Sequence, residues 1–168
     1  CGLISAMGGK WTTCRKIALD TLEKVESLLE EKFPKPKNIN IIGSHSNPFN
    51  TKSLLEKQSN ELREILPNTN LIEKQINHLQ SKYGLNALAI IRRSSEEDRK
   101  PISSDIPLCR AEITQSIIHE HAKTSTDILS RRNRLATVNI QEAKRILPIV
   151  NEYLSKYKLA LSELNLEK

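Results

Sequence analysis

Gly8-Gly9-Lys10-Trp11-Thr12-Thr13 combines residue types suited to holding an anion or the edge of an electron-rich ring. Two glycines give the backbone conformations closed to other residues and let a second molecule approach closely. The first N–H groups of a helix have no partner within it, and the helix dipole favours negative charge there. Such a turn fits a phosphate or a cofactor edge. Lys10 adds a positive charge at the same place. A glycine pair before a helix is also the mark of a plain tight turn, so these six residues alone do not choose between the two.

A second charged group is Asp127-Ile128-Leu129-Ser130-Arg131-Arg132-Asn133-Arg134. Asp127 and Arg131 are four apart, the spacing of a helical surface pair worth about 0.3–0.5 kcal/mol. Arg132 and Arg134 have no comparable local partner. Three arginines in four positions suit either phosphate groups or docking on an acidic neighbour through the guanidinium fork. His119-Glu120-His121 has metal-binding residue types, but residues two apart on a helix point in nearly opposite directions. Surface or partly packed histidines are expected there, and no metal site. Cys1, Cys14 and Cys109 are odd in number, widely spaced and without a C-x-x-C pair. They read as reduced thiols, not as a disulfide framework or a zinc site.

Helical periodicity must position these groups. Cys14, Ile17, Ala18, Leu22, Val25, Leu28 and Leu29 recur in steps of three and four, and Pro34 and Pro36 end that helix. The glycine turn follows an apolar run of Leu3, Ile4 and Ala6, so it reads as a strand-to-helix turn. The proline-punctuated stretch from Lys35 to Asn38 is the expected border between two domains, 1–36 and 37–168, with Ile39 to Gly43 a short extended segment. Ser53 with Glu56, and Asn70 with Glu73, have the form of capping boxes. They introduce one helix through Leu54, Leu55, Gln58, Leu62, Ile65 and Leu66, stopped by Pro67, and another through Leu71, Ile72, Ile76, Leu79 and Tyr83. Gly84 suits the left-handed C-cap. A further helix carries Leu85, Leu88 and Ile91, and Ser94 to Pro107 reads as a loop too polar for the core.

A helix from about Arg110 stacks Ile113 and Ile117 on one side. Thr124 to Asp127 has the capping form before the arginine group. Asn139 with Glu142 caps a long last helix whose apolar stripe is Ala143, Ile146, Leu147, Val150, Tyr153, Leu154, Tyr157, Leu161 and Leu164. Pro148 inside it is expected to kink or divide the helix, at a cost of about 3 kcal/mol.

At 38% hydrophobic and 27% charged, the 168 residues are those of a globular protein and not of a disordered tail. Few aromatics and only 5 glycines favour helices. No apolar run reaches the roughly 18 residues of a membrane span. A net charge of +6 is compatible with an anionic partner, although most lysines stand beside glutamates, the pattern of a solvated surface. Opening at Cys1 within an apolar run, the chain reads as part of a longer protein. The fold class expected is mainly α: a multi-helix domain preceded by a strand, a glycine turn and a helix.

Gly8-Gly9-Lys10-Trp11-Thr12-Thr13, with Arg15 two positions on, closely resembles the segment near the end of the flavin-binding domain in FAD-dependent glycerol-3-phosphate dehydrogenases. Pro107-Leu108-Cys109-Arg110-Ala111-Glu112-Ile113, then Ile117 and Glu120, then Asp127 to Leu135, resembles the family's all-helical C-terminal domain and its Asp-x-Leu-x-Arg-Arg-x-Arg-Leu element. Two motifs in the family's order, over nearly the whole chain, identify it as a member. The resemblance implies that 1–36 is the end of the FAD-binding domain and 37–168 the helical C-terminal domain. It implies an enzyme that oxidises sn-glycerol 3-phosphate to dihydroxyacetone phosphate and passes electrons through FAD to quinone, or to oxygen in the oxidase relatives.

On that resemblance Gly8, Gly9, Lys10, Thr12 and Thr13 bind the flavin, their N–H groups facing the negative charge gathered at its pyrimidine end. Lys10 is the catalytic candidate, beside the flavin or the substrate phosphate. Cys14 departs from the family's usual Tyr. No G-x-G-x-x-G turn is present, nor the upstream histidine and arginines that meet the substrate, so the fragment is expected to hold no FAD and to catalyse nothing alone. No EF-hand loop pattern is present, and no calcium regulation is expected.

Implied partners are the upstream FAD and substrate domains, glycerol 3-phosphate, quinone, a second copy in a homodimer, and a membrane contacted peripherally. That membrane is the cytoplasmic one in a bacterium or the mitochondrial inner one in a eukaryote. Two roles remain for the helical domain. It is either a structural cap, with Asp127, Arg131, Arg132 and Arg134 as structural or docking residues partly buried in ion pairs, or an interaction module for anionic lipid, nucleic acid or a partner protein. The arginines are interleaved with apolar residues, which favours the cap.

Overall fold

The computed structural model describes residues 2–37 and 39–164, with side chains to residue 157. The expectations for Cys1, Asn38 and the side chains of Leu161 and Leu164 lie outside the described residues. The chain separates into two compact units, Cys1–Ile39 and Asn40–Lys168.

In the first unit a 3-10 turn, Trp11–Thr13, runs directly into α1, Cys14–Leu29. The strand expected over Leu3, Ile4 and Ala6 is not formed, and residues 2–10 carry no regular structure. A strand needs a neighbour for its N–H and C=O groups, and no described segment supplies one. The end of α1 also differs from expectation. Glu30 adopts a left-handed conformation (φ 52°), and the N–H groups of Glu30 and Glu31 both reach Glu26 O, so the helix closes before Pro34. None of the apolar stripe is buried. Ile17 and Val25 are half-buried, while Leu22, Leu28 and Leu29 are exposed.

The second unit is built on α-helices, α2 (Thr51–Ile65), α3 (Ile72–Tyr83), α4 (Ala87–Arg92), α5 (Glu96–Arg99), α6 (Arg110–Ile118), α7 (Leu135–Val138) and α8 (Ile140–Leu164), with an isolated antiparallel bridge between Pro101 and Cys109. One hydrophobic cluster joins Leu62, Ile76, Leu79, Ile90 and Ile91. The other joins Leu108, Ile113, Ile128, Ile146, Val150 and Leu154. Helix α6 serves both, since Cys109 and Ala111 belong to the first cluster and Ile113 and Ile117 to the second. Each fully buried leucine or isoleucine contributes about 1.5–3 kcal/mol. The segment from Ser94 to Pro107 is more ordered than a polar loop. It contains α5, and Arg99 reaches back to Ile91 O (3.1 Å) and Ser94 O (2.9 Å).

Two expected caps are formed. Thr124 Oγ1 accepts from Asp127 N (3.1 Å) while Asp127 Oδ2 accepts from Thr124 N (2.9 Å). Asn139 Oδ1 accepts from Glu142 N (3.1 Å). Two others are not. Helix α2 begins before Ser53, after a 3-10 turn with Pro48 at its first position, so Ser53 Oγ donates to Asn50 O instead. At α3 the N-cap is Leu71, and Glu73 pairs with Arg63 (2.7 Å).

Gly84 has a positive φ of 56°, but with ψ −135° it is not the left-handed helical cap. Its purpose is close approach. A Cβ there would lie 2.4 Å from Gly43 O, and one on Gly43 (φ 84°) would lie 2.2 Å from Tyr83 O. Leu85 N donates to Gly43 O at 2.8 Å across this contact. Helix α8 runs through Pro148 undivided. Pro148 and Lys144 are both exposed, so the carbonyl deprived of its helical donor faces water.

Candidate functional site

Helical winding in the first unit starts inside the motif, at Trp11. Lys10 is the N-cap of the 3-10 turn, in extended conformation, and Thr13 closes the turn with both its N–H (3.2 Å) and its hydroxyl (3.0 Å) on Lys10 O. The initial N–H groups of such a turn are left to outside acceptors. Neither Gly8 nor Gly9 has a positive φ, so the conformational freedom expected of them is not used here. Their use is space. A Cβ on Gly8 would stand 2.6 Å from Ile17 Cδ1, whereas one on Gly9 would meet nothing within 4 Å. An open groove of about 730 Å³ is lined by Gly8, Gly9, Lys10, Trp11, Cys14 and Ile17. Lys10, Thr12 and Thr13 are all exposed, and Lys10 makes no ion pair among the described residues.

The arginine group occupies a π-wound turn, Asp127–Arg132, closed by Asn133 N on Ile128 O (2.8 Å) five residues back. Arg131 pairs with Asp127. Arg132 finds a partner that its neighbours in sequence do not show, donating to Glu120 O (2.9 Å) with Nε 3.7 Å from the Glu120 carboxylate. Arg134 is exposed, takes a left-handed backbone (φ 56°) and forms no ion pair among the described residues. The expected partly buried ion pairs divide: the Arg131 side chain is 64% exposed in its pair, Arg132 and Glu120 are partly buried in theirs at 36% and 25%, and Arg134 forms none among the described residues. The π turn packs Ile128 and Leu129 inward and leaves the guanidinium groups outside. The Asp127 carboxyl is held well below its usual range by N–H donors from Lys123 and Thr124, the Thr124 hydroxyl and Arg131.

The buried charge of this unit lies elsewhere, at Glu112. Its fully buried Oε1 faces His78 Nε2 (2.9 Å), Lys82 Nζ (3.4 Å) and the Tyr83 hydroxyl (3.3 Å), while Oε2 accepts from Cys109 N (3.2 Å). Burial pushes this carboxyl up, but the His78 hydrogen bond, the charge of Lys82 and the Cys109 N–H outweigh it and hold Glu112 below its ordinary value. Burial beside that carboxylate drives the Tyr83 phenol and the Cys109 thiol far up, so both stay protonated. Lys82 also donates to Asn133 Oδ1, which ties α3 to the arginine turn. Sequence reasoning passes over this hub. Its one local signal is Cys109-x-x-Glu112, a capping form in which Glu112 reaches back to the Cys109 N–H. His119 and His121 are exposed, and no described group of three or more His, Cys, Asp or Glu could hold a metal ion.

A family model described as the C-terminal domain of alpha-glycerophosphate oxidase matches residues 35–160. The chain belongs to that family. It is 34% identical over 156 residues to a probable mitochondrial glycerol-3-phosphate dehydrogenase of Dictyostelium discoideum, which covers 89% of this chain and 23% of that protein. The mitochondrial glycerol-3-phosphate dehydrogenase of Rattus norvegicus is 29% identical over 97% of this chain and 22% of its own length. Glycerol-3-phosphate dehydrogenase 1 of Mycobacterium bovis is 28% identical over 92% of this chain and 27% of its own length. The chain thus spans about a quarter or less of the relatives it matches. No solved structure matches it. Among the described residues no helix is long and apolar enough to cross a membrane.

Proposed function

We propose that this chain is the C-terminal portion of an FAD-dependent enzyme that oxidises sn-glycerol 3-phosphate to dihydroxyacetone phosphate and passes electrons to quinone at a membrane. The observation that carries this reading is the alignment of glycerol-3-phosphate dehydrogenases with 89–97% of the chain, the family match over 35–160 included. In it the first unit ends the flavin-binding domain, and the helical unit is a structural cap on the flavin and substrate domains.

The residues of the glycine turn fit a flavin edge. Gly9 faces open space, the helix start is uncovered, and Lys10 has no carboxylate partner among the described residues. FAD, when bound, supplies the acceptor for the substrate's hydride. Gly8, Gly9 and Thr12 offer backbone N–H groups to its electron-rich edge, the Thr13 N–H expected there being spent on Lys10 O, and Lys10 places a positive charge near that edge or near the substrate phosphate.

The test is the absorption spectrum of the native protein. A flavin spectrum bleached by glycerol 3-phosphate, with slower bleaching in Lys10→Met and Gly9→Ala at unchanged stability, supports the reading. A colourless protein that does not oxidise glycerol 3-phosphate overturns it. The exposed Arg131, and Arg134 with no ion pair among the described residues, favour a second reading, an interaction module for an anionic partner. Salt-sensitive retention on anionic vesicles or oligonucleotides supports that role, and no retention at low salt removes it.

A further inference from the structure

We propose that a cleft in the helical unit binds the phosphate group of a small phosphorylated ligand. The cleft encloses about 480 Å³, and Lys82, Asn86, Arg93, Gln115, His119 and Glu120 line it. Arg93 is the residue that points to an anion. It donates to Ala89 O (3.1 Å) and Gln115 Oε1 (3.4 Å), and its remaining contact is His119 Nε2 at 3.2 Å. It forms no ion pair among the described residues. An imidazole nitrogen can accept from a guanidinium only while that nitrogen is unprotonated. Two basic side chains therefore abut here with no acid between them, and an anion bridging them would relieve the arrangement.

The rest of the lining agrees. An ammonium has three donors, and Glu112 and Asn133 occupy two of those on Lys82. Glu120 is the carboxylate in the lining, and it is turned to Arg132. Guanidinium, ammonium, imidazole and the Asn86 amide thus converge on a cleft whose acid is committed elsewhere. That donor set suits a phosphate, which has dense charge and several acceptor oxygens and accepts the arginine fork in two parallel bonds. The volume lies within the range of small-ligand sites and leaves room for a short carbon chain. The proposal stands on this cleft alone and not on the oxidoreductase reading.

The test is calorimetric titration of the purified protein with inorganic phosphate at constant ionic strength, without turnover. Saturable binding with a Kd of about 1 mM is expected, weakened about tenfold or more in Arg93→Met and less in Arg93→Lys. Arg93 is exposed, so melting should not change; if it does, His119→Gln is the second variant. Phosphate should also protect His119, and not His45, from acylation read by mass spectrometry.

Two further arms separate the sources of phosphate. A short phosphate ester binding at least as tightly as phosphate itself assigns a soluble ligand. Capture by phosphatidic acid vesicles, competed by free phosphate, assigns a headgroup. No saturable binding up to about 20 mM phosphate, or equal affinity in Arg93→Met and His119→Gln, overturns the proposal.

Discussion

The two units of this chain use similar amphipathic patterns to opposite effect. Helix α1 has apolar residues at helical spacing and buries none of them, whereas α3 with the same kind of stripe buries Ile76, Leu79 and Tyr83. Periodicity specifies that a helix has a face to cover. It does not say what covers it. In the helical unit the cover is supplied by the chain itself, through α2, α4, α6 and α8, and a short helix without such packing is marginal in water.

The contrast can be broken at its strongest point, Glu112. Replacing it with Ala leaves His78, Lys82, Tyr83 and the Cys109 N–H around a vacated buried position, and should cost the helical unit about 3–5 kcal/mol in urea denaturation. A loss below about 1 kcal/mol would mean that the hub is solvated. The hub also sets acid behaviour. A carboxyl whose value is depressed in the folded state stabilises above its ordinary 4.5 and loses that contribution as pH falls through the depressed value. Stability of the chain should therefore fall below about pH 4.5, and Glu112→Gln should flatten that limb relative to the native residue.

Core truncations sharpen the comparison next. Leu79→Ala is expected to cost about 2–5 kcal/mol. Leu22→Ala, in a position 41% exposed, should stay within about 0.5 kcal/mol when measured on this chain by itself. Equal costs would show that the α1 face is covered after all. Glycines divide in the same way. Gly84→Ala forces a Cβ onto Gly43 O at positive φ and should lose at least about 1–3 kcal/mol, whereas Gly9→Ala should leave melting unchanged. Arg132→Ala should have a small effect as well. Its pair with Glu120 is only partly buried and 3.7 Å long, so the loss should be under about 1 kcal/mol, and a larger one would give Arg132 a structural role.

The helices are legible in the sequence because spacing is a local property. Leu62, Ile76, Leu79, Ile113, Ile146 and Val150 fall on expected faces and are buried. Caps are half legible. Thr124 with Asp127 and Asn139 with Glu142 form as their residue types suggest, while Ser53 with Glu56 has the same spacing inside a helix that Pro48 has already started. Glu112 is not legible, since a glutamate belongs on a surface by default and its partners His78 and Lys82 lie 34 and 30 residues away. The glycine turn shows its position at the helix start in the sequence, but the open side of Gly9 and the approach of Gly8 to Ile17 are visible only in three dimensions.

The two free thiols with described surroundings record these differences chemically. Cys14 is exposed and Cys109 is buried beside Glu112 with its thiol kept protonated. A maleimide or disulfide reagent needs thiolate and access. Cys14, being exposed, should therefore react well ahead of Cys109, which reacts only as often as the α3–α6 packing opens. The labelling rate at Cys109 thus serves as a clock for the opening of the helical unit, running in the native protein without denaturant.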